Sequence, residues 1–116
     1  MPVWRIAPIA EEPSCTLTSW SVFETERQER HLCGYALEGR EGRVTSAITT
    51  FDPVQASAAT RSGRIYKLKG RPGADSDAEY VKATWLRVNA STQHRDVTEE
   101  LWASINACRS TKAPER

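Results

Sequence analysis

Apolar and polar positions alternate through much of the first half of the chain. The alternation is clearest in residues 17–24 and 31–37, which are separated by the charged segment 25–30. Because a strand points successive side chains to opposite faces, this pattern predicts two antiparallel strands joined by a hairpin. A connection with two glycines, residues 39–42, leads to a third predicted strand over residues 43–51. We therefore predict a three-stranded meander.

The register of that meander is predicted by matching apolar side chains across neighbouring strands. Pairing Trp20 with Tyr35 brings together the apolar residues of the first two strands. Pairing Leu37 with Val44 does the same for the second and third strands. The predicted core face then consists of Trp20, Val22, Cys33, Tyr35, Leu37, Val44 and Ile48. Small residues occupy the middle of the other face, which allows a helix or a second layer of strands to approach closely.

A second hairpin is predicted farther along the chain, from residues 56–61 and 64–69. It turns at Ser62-Gly63, since glycine accommodates the backbone of tight turns. Residues 70–73 contain two glycines and a proline, and this composition ends the strand region.

Helical periodicity follows residue 73. Ser76 and Glu79 have the spacing of a capping box, so the first helix is predicted to begin at Ser76 and to stop near Asn89. Asp96 is the predicted cap of the second helix, with Glu99 three positions later. The apolar stripes of the two helices are Ala78, Val81, Trp85 and Val88, and Val97, Leu101, Ile105 and Cys108 with Trp102 beside them.

The predicted architecture is one α+β domain over residues 1–108. It consists of an antiparallel sheet of about five strands, the meander plus the second hairpin, followed by two C-terminal helices packed on it. Residues 109–116 are polar and contain a proline, so we expect a disordered tail there.

Length and cysteine content narrow the class of protein. A chain of 116 residues is long enough for one hydrophobic core. Its three cysteines, Cys15, Cys33 and Cys108, lack CxxC spacing, which argues against a disulfide framework and against a zinc ribbon. Residues 1–10 have no uninterrupted apolar run, so we expect neither a signal peptide nor a membrane span. We expect a cytoplasmic protein with no cofactor and no metal.

The most distinctive charge feature is the segment 60–71. It holds five basic residues and no acidic one, although the formal net charge of the chain is only +1. The predicted turn places Arg61 beside Arg64, and like charges that face each other across a hairpin repel. We therefore expect an anionic partner at this segment, either a carboxylate elsewhere in the fold or an outside ligand. The candidate anion-binding or partner-binding residues are Arg61, Arg64, Tyr66, Lys67, Lys69 and Arg71.

Strand alternation divides these candidates between two faces. Arg64 and Tyr66 are predicted to point to one face, and Lys67 and Lys69 to the other. A binding groove would gather them on one side. The plain alternative is a solvated edge strand whose charged residues protect it from aggregation.

The sequence is compatible with three functions. The leading prediction is a non-enzymatic interaction module that binds a protein partner, with Trp4 and Trp102 as candidate interface anchors. The first alternative is a nucleic-acid-binding protein that uses the basic hairpin, with Tyr66 as a stacking ring. The second is a small thiol or metal enzyme at His31 and Cys33, which share one strand face about 7 Å apart. Because the motifs of phosphate-binding loops, serine hydrolases and zinc proteases are absent, we favour a non-enzyme.

Overall fold

The computed structural model describes residues 13–91 and 93–112 of the 116-residue chain. Within them the elements are β1 (Ser14–Thr25), β2 (Arg30–Ala36), β3 (Glu41–Val44), β4 (Ile48–Asp52), β5 (Ser57–Thr60), β6 (Ile65–Leu68), α1 (Ser76–Val88), β7 (His94–Asp96) and α2 (Thr98–Lys112). The predicted α+β class is confirmed, with one sheet and two helices that follow its main strands. The sheet is mixed rather than purely antiparallel, because β1 and β6 run parallel.

The strand order is β3-β2-β1-β6-β5-β4, and β7 pairs with the far end of β1. The two outer strands of this order, β3 and β4, are consecutive in the chain, with only residues 45–47 between them. Six strands in a flat sheet would place these edges about 24 Å apart. The four Cα–Cα steps from Val44 to Ile48 can span at most about 15 Å. The sheet therefore curls until its edges approach each other.

Curling gives the sheet two unlike faces. On the inner face, side chains from β1, β2, β5 and β6 meet those of α2 in one cluster, with Trp20 of β1 among its largest fully buried members. On the outer face, α1 lies over β2 and β3 and covers a second cluster that contains Phe23, Cys33, Val44 and Ala78. The two helices thus pack on opposite faces of the sheet.

The predicted register between the first two strands is wrong on both sides of a bulge in β1. Thr18 pairs with Tyr35, but Ser21 pairs with Cys33, so the register shifts between Thr18 and Ser21. The shift includes Ser19, whose φ of 48° is in the left-handed region. The predicted core face therefore mixes two faces of the sheet. Trp20 and Val22 lie in the inner cluster, whereas Cys33 and Val44 lie in the outer one.

The predicted third strand is in fact two strands. β3 ends at Val44, and β4 begins at Ile48 on the opposite edge of the sheet. Cys33 consequently pairs with Val44 instead of Ile48. Leu37, which was also assigned to the core, lies in the turn between β2 and β3 with 40% of its surface exposed. Continuous alternation through residues 43–51 concealed the crossover, because both strands keep the same period.

The helix boundaries agree with the predictions at most positions. Helix α1 begins at Ser76 and is followed by Asn89, as predicted, but its cap is Asp75, whose carboxylate accepts a hydrogen bond from the Ala78 N–H at 3.0 Å. Val88 was assigned to the buried stripe and is 74% exposed, because Leu86 packs on the core instead.

Helix α2 begins at Thr98, and the Asp96 carboxylate accepts a hydrogen bond from the Thr98 N–H at 2.8 Å. The helix continues to Lys112, beyond the point at which a polar tail was predicted to start. Residues 113–116 and the candidate anchor Trp4 lie outside the described residues.

Close packing of α1 on β3 depends on Gly42. A Cβ at this position would overlap the backbone of Asp77 and Ala78 in the first turn of α1. Any larger side chain would therefore push the helix away from the outer face.

Candidate functional site

The predicted second hairpin is present, but its second strand has an unexpected place in the sheet. β6 pairs with β5 on one side and with β1 on the other. The interpretation of this segment as a charged edge strand is therefore wrong. A lysine on a central strand needs another explanation, because β6 has no free edge to protect.

The turn of this hairpin also differs from the predicted one. The Thr60 N–H donates to the Arg64 carbonyl at 3.1 Å, so Arg61, Ser62 and Gly63 form a three-residue loop. Gly63 has a φ of 96°, which glycine adopts without a steric penalty. Arg61 lies within the loop and is not opposite Arg64, so the like-charge pair that suggested an anionic partner does not form.

Both arginines make contacts within the fold. Arg61 is exposed, but its guanidinium donates to Oε2 of Glu29 at 2.6 Å, and this bond lowers the pKa of the Glu29 carboxyl. Arg64 is only 4% exposed and also has an interaction within the protein. Neither side chain is therefore a free cation for an outside ligand.

Tyr66 points to the inner face of the sheet and is 2% exposed. It lies beside Cys15 of β1 and Ala58 of β5, inside the cluster that α2 covers. A ring in this position cannot stack on a base, so the nucleic-acid alternative loses its predicted aromatic platform.

Lys67, Lys69 and Arg71 are exposed. No ion pair to any of the three exists in the part of the chain that the structure describes. Lys67 projects from the outer face, with Thr16 of β1 and Ser57 of β5 as its neighbours across the sheet. Lys69 follows β6 and donates its N–H to the Leu17 carbonyl at 2.9 Å.

The surroundings of Lys67 form a face that neither helix covers. We call it the open half of the outer face, and we define it by Ser14, Thr16, Thr50, Asp52, Ser57, Ala59, Ile65 and Lys67. Helix α1 contacts β2 and β3, and α2 lies on the inner face. The side chains of the open half are mostly small or hydroxyl-bearing, so Lys67 rises above a shallow, polar surface.

The hydroxyl-bearing residues of this face were not among the candidates predicted from the sequence. A signal was present, since Ser14 and Thr16 alternate with the buried Cys15 and Leu17, and Ser57 precedes the buried Ala58. Hydroxyl residues in this alternation mark a strand face that is not packed in a core.

His31 and Cys33 lie beneath α1 and not in a cleft. Cys33 is 1% exposed, its Sγ donates to the Ala78 carbonyl at 3.4 Å, and burial raises the pKa of the thiol to about 12. His31 is 4% exposed, and its ring lies 4.5 Å from that of Trp85 between centroids. A thiol that stays protonated at neutral pH is a poor nucleophile. Among the described residues, no group of three or more His, Cys, Asp and Glu side chains could hold a metal ion.

The second candidate anchor, Trp102, is half-buried. Its ring meets that of Trp20 edge-on, with 6.1 Å between centroids, and it packs against the inner cluster. This contact gives Trp102 a structural role in fixing α2 on the sheet.

One cavity of about 330 Å³ lies between β3 and α1. It is lined by Arg40, Glu41, Gly42, Asp77, Tyr80 and Val81. This volume is at the lower limit of small-molecule pockets, and Tyr80 at its rim is 65% exposed. The cavity is therefore a weaker candidate than the open half of the outer face.

Neither helix in the described part of the chain has the length and apolarity needed to cross a membrane. No family model, curated protein or solved structure matches this chain.

Proposed function

We propose that this protein is a non-enzymatic interaction module whose open half of the outer face binds an acidic segment of a protein partner. One observation carries the proposal: Lys67 stands at the centre of a sheet face that no described element covers, with no ion pair among the described residues. Lys69 lies two residues farther along the chain, just after the end of β6. Exposed ammonium groups on a polar surface favour carboxylates as partners.

A comparison with two arginines supports the choice of Lys67 and Lys69 as binding residues. Arg30 donates to Glu24 and Glu100 at 2.9 and 2.8 Å, and Arg61 donates to Glu29 at 2.6 Å. The charges of those arginines are therefore matched within the fold. Lys67 and Lys69 have no such match among the described residues, so their charge remains available to an external anion.

The neighbours of Lys67 indicate what such a segment would contact. The Ser57 hydroxyl can donate or accept a hydrogen bond, and the Thr16 hydroxyl, which donates to Oε2 of Glu38 at 3.0 Å, can still accept one. Ile65 is 37% exposed and offers a small apolar contact. An acidic peptide segment has carboxylates for the lysines and backbone amides for the hydroxyl groups.

Nucleic acid is the less favoured anion. Single-stranded nucleic acid is usually held by aromatic stacking in addition to charge, and the one aromatic residue of the hairpin, Tyr66, is buried on the other face. The open half as defined contains no aromatic side chain.

Charge reversal at the two lysines tests the proposal. The probes are a fluorescently labelled oligoglutamate peptide and a single-stranded oligothymidylate of equal charge, and binding is followed by fluorescence anisotropy. Lys67→Glu with Lys69→Glu should weaken oligoglutamate binding by about tenfold or more, because each lysine lost removes a favourable charge pair and each glutamate repels the probe. The matched control is Arg40→Glu with Arg87→Glu, which makes the same change in net charge away from this face.

The control variant should bind oligoglutamate with an affinity within about twofold of that of the wild-type protein, since charges remote from the binding face have small effects on affinity. Equal losses in both double variants would reduce the effect to net charge and would contradict a specific face. Tighter binding of oligothymidylate than of oligoglutamate, with the same dependence on the lysines, would favour the nucleic-acid alternative.

A further inference from the structure

His31 has one ring nitrogen that is hydrogen-bonded and one that is not. The ring is 4% exposed, and Nδ1 lies 2.9 Å from the carbonyl oxygen of Thr45. Because a carbonyl only accepts, Nδ1 carries the proton in the neutral ring. Nε2 then presents a lone pair, and among the described residues it is buried without a hydrogen-bond partner. A buried polar atom in this condition costs free energy, and a second state of the protein that uses the atom would account for it.

A carboxylate faces this nitrogen. Oε1 of Glu29 lies 3.9 Å from Nε2 of His31, while Oε2 of the same carboxylate accepts a hydrogen bond from Arg61. In the neutral state, one acceptor faces another and no bond forms. A proton on Nε2 would turn the histidine into a cationic donor directed at a carboxylate, which is the strong kind of hydrogen bond.

The three side chains connect separate parts of the fold. Glu29 belongs to the turn between β1 and β2, and Arg61 belongs to the turn between β5 and β6. Thr45, which binds Nδ1, lies in the link between β3 and β4, and the Arg61 N–H donates to the Ala47 carbonyl of that link at 2.8 Å. These contacts lie where the edges of the curled sheet approach each other.

We propose that His31, Glu29 and Arg61 form a proton-sensitive latch, in which a protonated Nε2 donates to Glu29 and the carboxylate bridges the histidine and the arginine. The Arg61–Glu29 bond already joins the turn between β5 and β6 to the turn between β1 and β2, and the closed latch adds the buried ring of His31 to this link. The proposal is independent of any partner at the open half of the outer face.

The charged groups nearest to His31 shift its pKa in opposite directions. Burial is the largest influence and lowers the pKa of His31 below its ordinary value of 6.5. Glu29 raises this pKa, whereas Arg61 and Arg27 lower it. The latch therefore closes on the acid side of pH 6.5, and the Glu29 carboxylate is still ionised there because Arg61 lowers its pKa.

Other elements that pack near the ring have smaller electrostatic roles. From α1, Trp85 contacts His31, and the Lys82 ammonium lies 5.4 Å from the centre of the Phe23 ring, which itself stacks on His31. From β7, His94 meets the opposite side of Phe23 at 6.0 Å between centroids.

The sign of the pH effect on stability follows from the lowered pKa. The folded state binds the His31 proton less readily than the unfolded state does, so the contribution of neutral His31 is fully present above pH 6.5. It is lost as the pH falls below 6.5 and towards the folded-state pKa. The bond to Glu29 offsets part of this loss.

NMR of the two imidazole rings in the full chain tests the latch. At neutral pH, nitrogen chemical shifts should show the Nδ1–H tautomer for His31, and on acidification a slowly exchanging Nε2–H should appear. His94, which is exposed, supplies the reference for proton exchange in the same spectra. If His31 stays neutral down to the acid unfolding transition, or if its Nε2–H exchanges as fast as that of His94, the latch does not exist.

Two substitutions should move the pKa of His31 in opposite directions. Glu29→Gln should lower it by about 1, because a facing carboxylate favours the charged ring, and Arg61→Gln should raise it, because it removes a nearby cation and releases Glu29. Arg87→Gln, remote from the ring, should leave it unchanged. The proposal requires both shifts, and the absence of either one overturns it.

Discussion

The outer face of the sheet has two halves, which lie largely on different strands and differ in what covers them. Beneath α1, the face consists of Phe23, Cys33 and Val44, all at most 9% exposed. Beyond α1, over β5 and β6, it consists of small, hydroxyl-bearing and basic side chains such as Ser57 and Lys67. The first half is built for contact with a helix, and the second is built for contact with water or with a polar partner.

The contrast between the covered half and the open half indicates where a binding site is to be expected. The residues with the most chemical versatility, His31 and Cys33, lie in the covered half, where burial lowers the pKa of the histidine and raises that of the thiol. Burial thus suppresses their reactivity at neutral pH. The open half has no such chemistry, but its lysines are accessible. The proposed interaction module uses the accessible lysines of the open half.

Thiol reactivity should show the largest difference between the halves. The pKa of Cys33 is raised from 9.0 to about 12, so its thiolate population at neutral pH should be about 1000-fold smaller than that of an unperturbed thiol. Site-resolved mass spectrometry after iodoacetamide treatment of the folded protein should find Cys33 unmodified until unfolding. Ser57→Cys supplies the control, a thiol in the open half that should react readily. Rapid modification of Cys33 would restore the thiol-enzyme alternative.

Removal of an apolar side chain should give the next largest difference between the halves, in the free energy of unfolding. Phe23→Ala should lower the free energy of unfolding by roughly 3–5 kcal/mol, because it leaves a cavity beneath α1 and removes the ring that stacks on His31. Ile65→Ala, in the open half, should cost less than about 1 kcal/mol. Urea denaturation of both variants provides the measurement. A large loss for Ile65→Ala would mean that the open half is covered in solution.

Addition of methyl groups should give the smallest difference in stability between the halves. Gly42→Ala should destabilise the fold by about 1–3 kcal/mol, because the new Cβ overlaps the backbone of α1 and the helix must move. Ala59→Val adds more volume in the open half and should change the stability by less than about 0.5 kcal/mol. Thermal unfolding of the two variants tests this contrast. Equal stabilities would show that α1 has room to move and that the two halves are not as different as their packing indicates.

Local patterns predicted much of the fold. The capping spacing placed the start of α1 at Ser76, and the polar Asn89 marked its end. The position of the second hairpin followed from alternation on both sides of Ser62-Gly63. The register of β1 and β2 could not be predicted, because one additional residue at the Ser19 bulge changes every pairing beyond it and leaves no clear compositional signal.

The candidate site was predicted in part. Alternation correctly assigned Lys67 to the face opposite Tyr66, since side-chain period is a local property. Which of these faces would be buried depended on the pairing of β6 with β1, about fifty residues earlier in the chain, as well as with β5. For the same reason the salt bridge of Arg61 to Glu29 could not be found from the neighbours of Arg61 in sequence.

Sequence patterns alone were sufficient to predict the first two strands, the second hairpin and the two helices, and to divide the side chains of a strand between its two faces. These properties depend on backbone geometry and on contacts between residues close in the chain. Only the tertiary structure decided that the sheet curls, that α1 covers half of its outer face, and that His31 lies against Glu29. These features depend on contacts between residues far apart in the chain. Their free energies arise from packing and burial that no local pattern encodes.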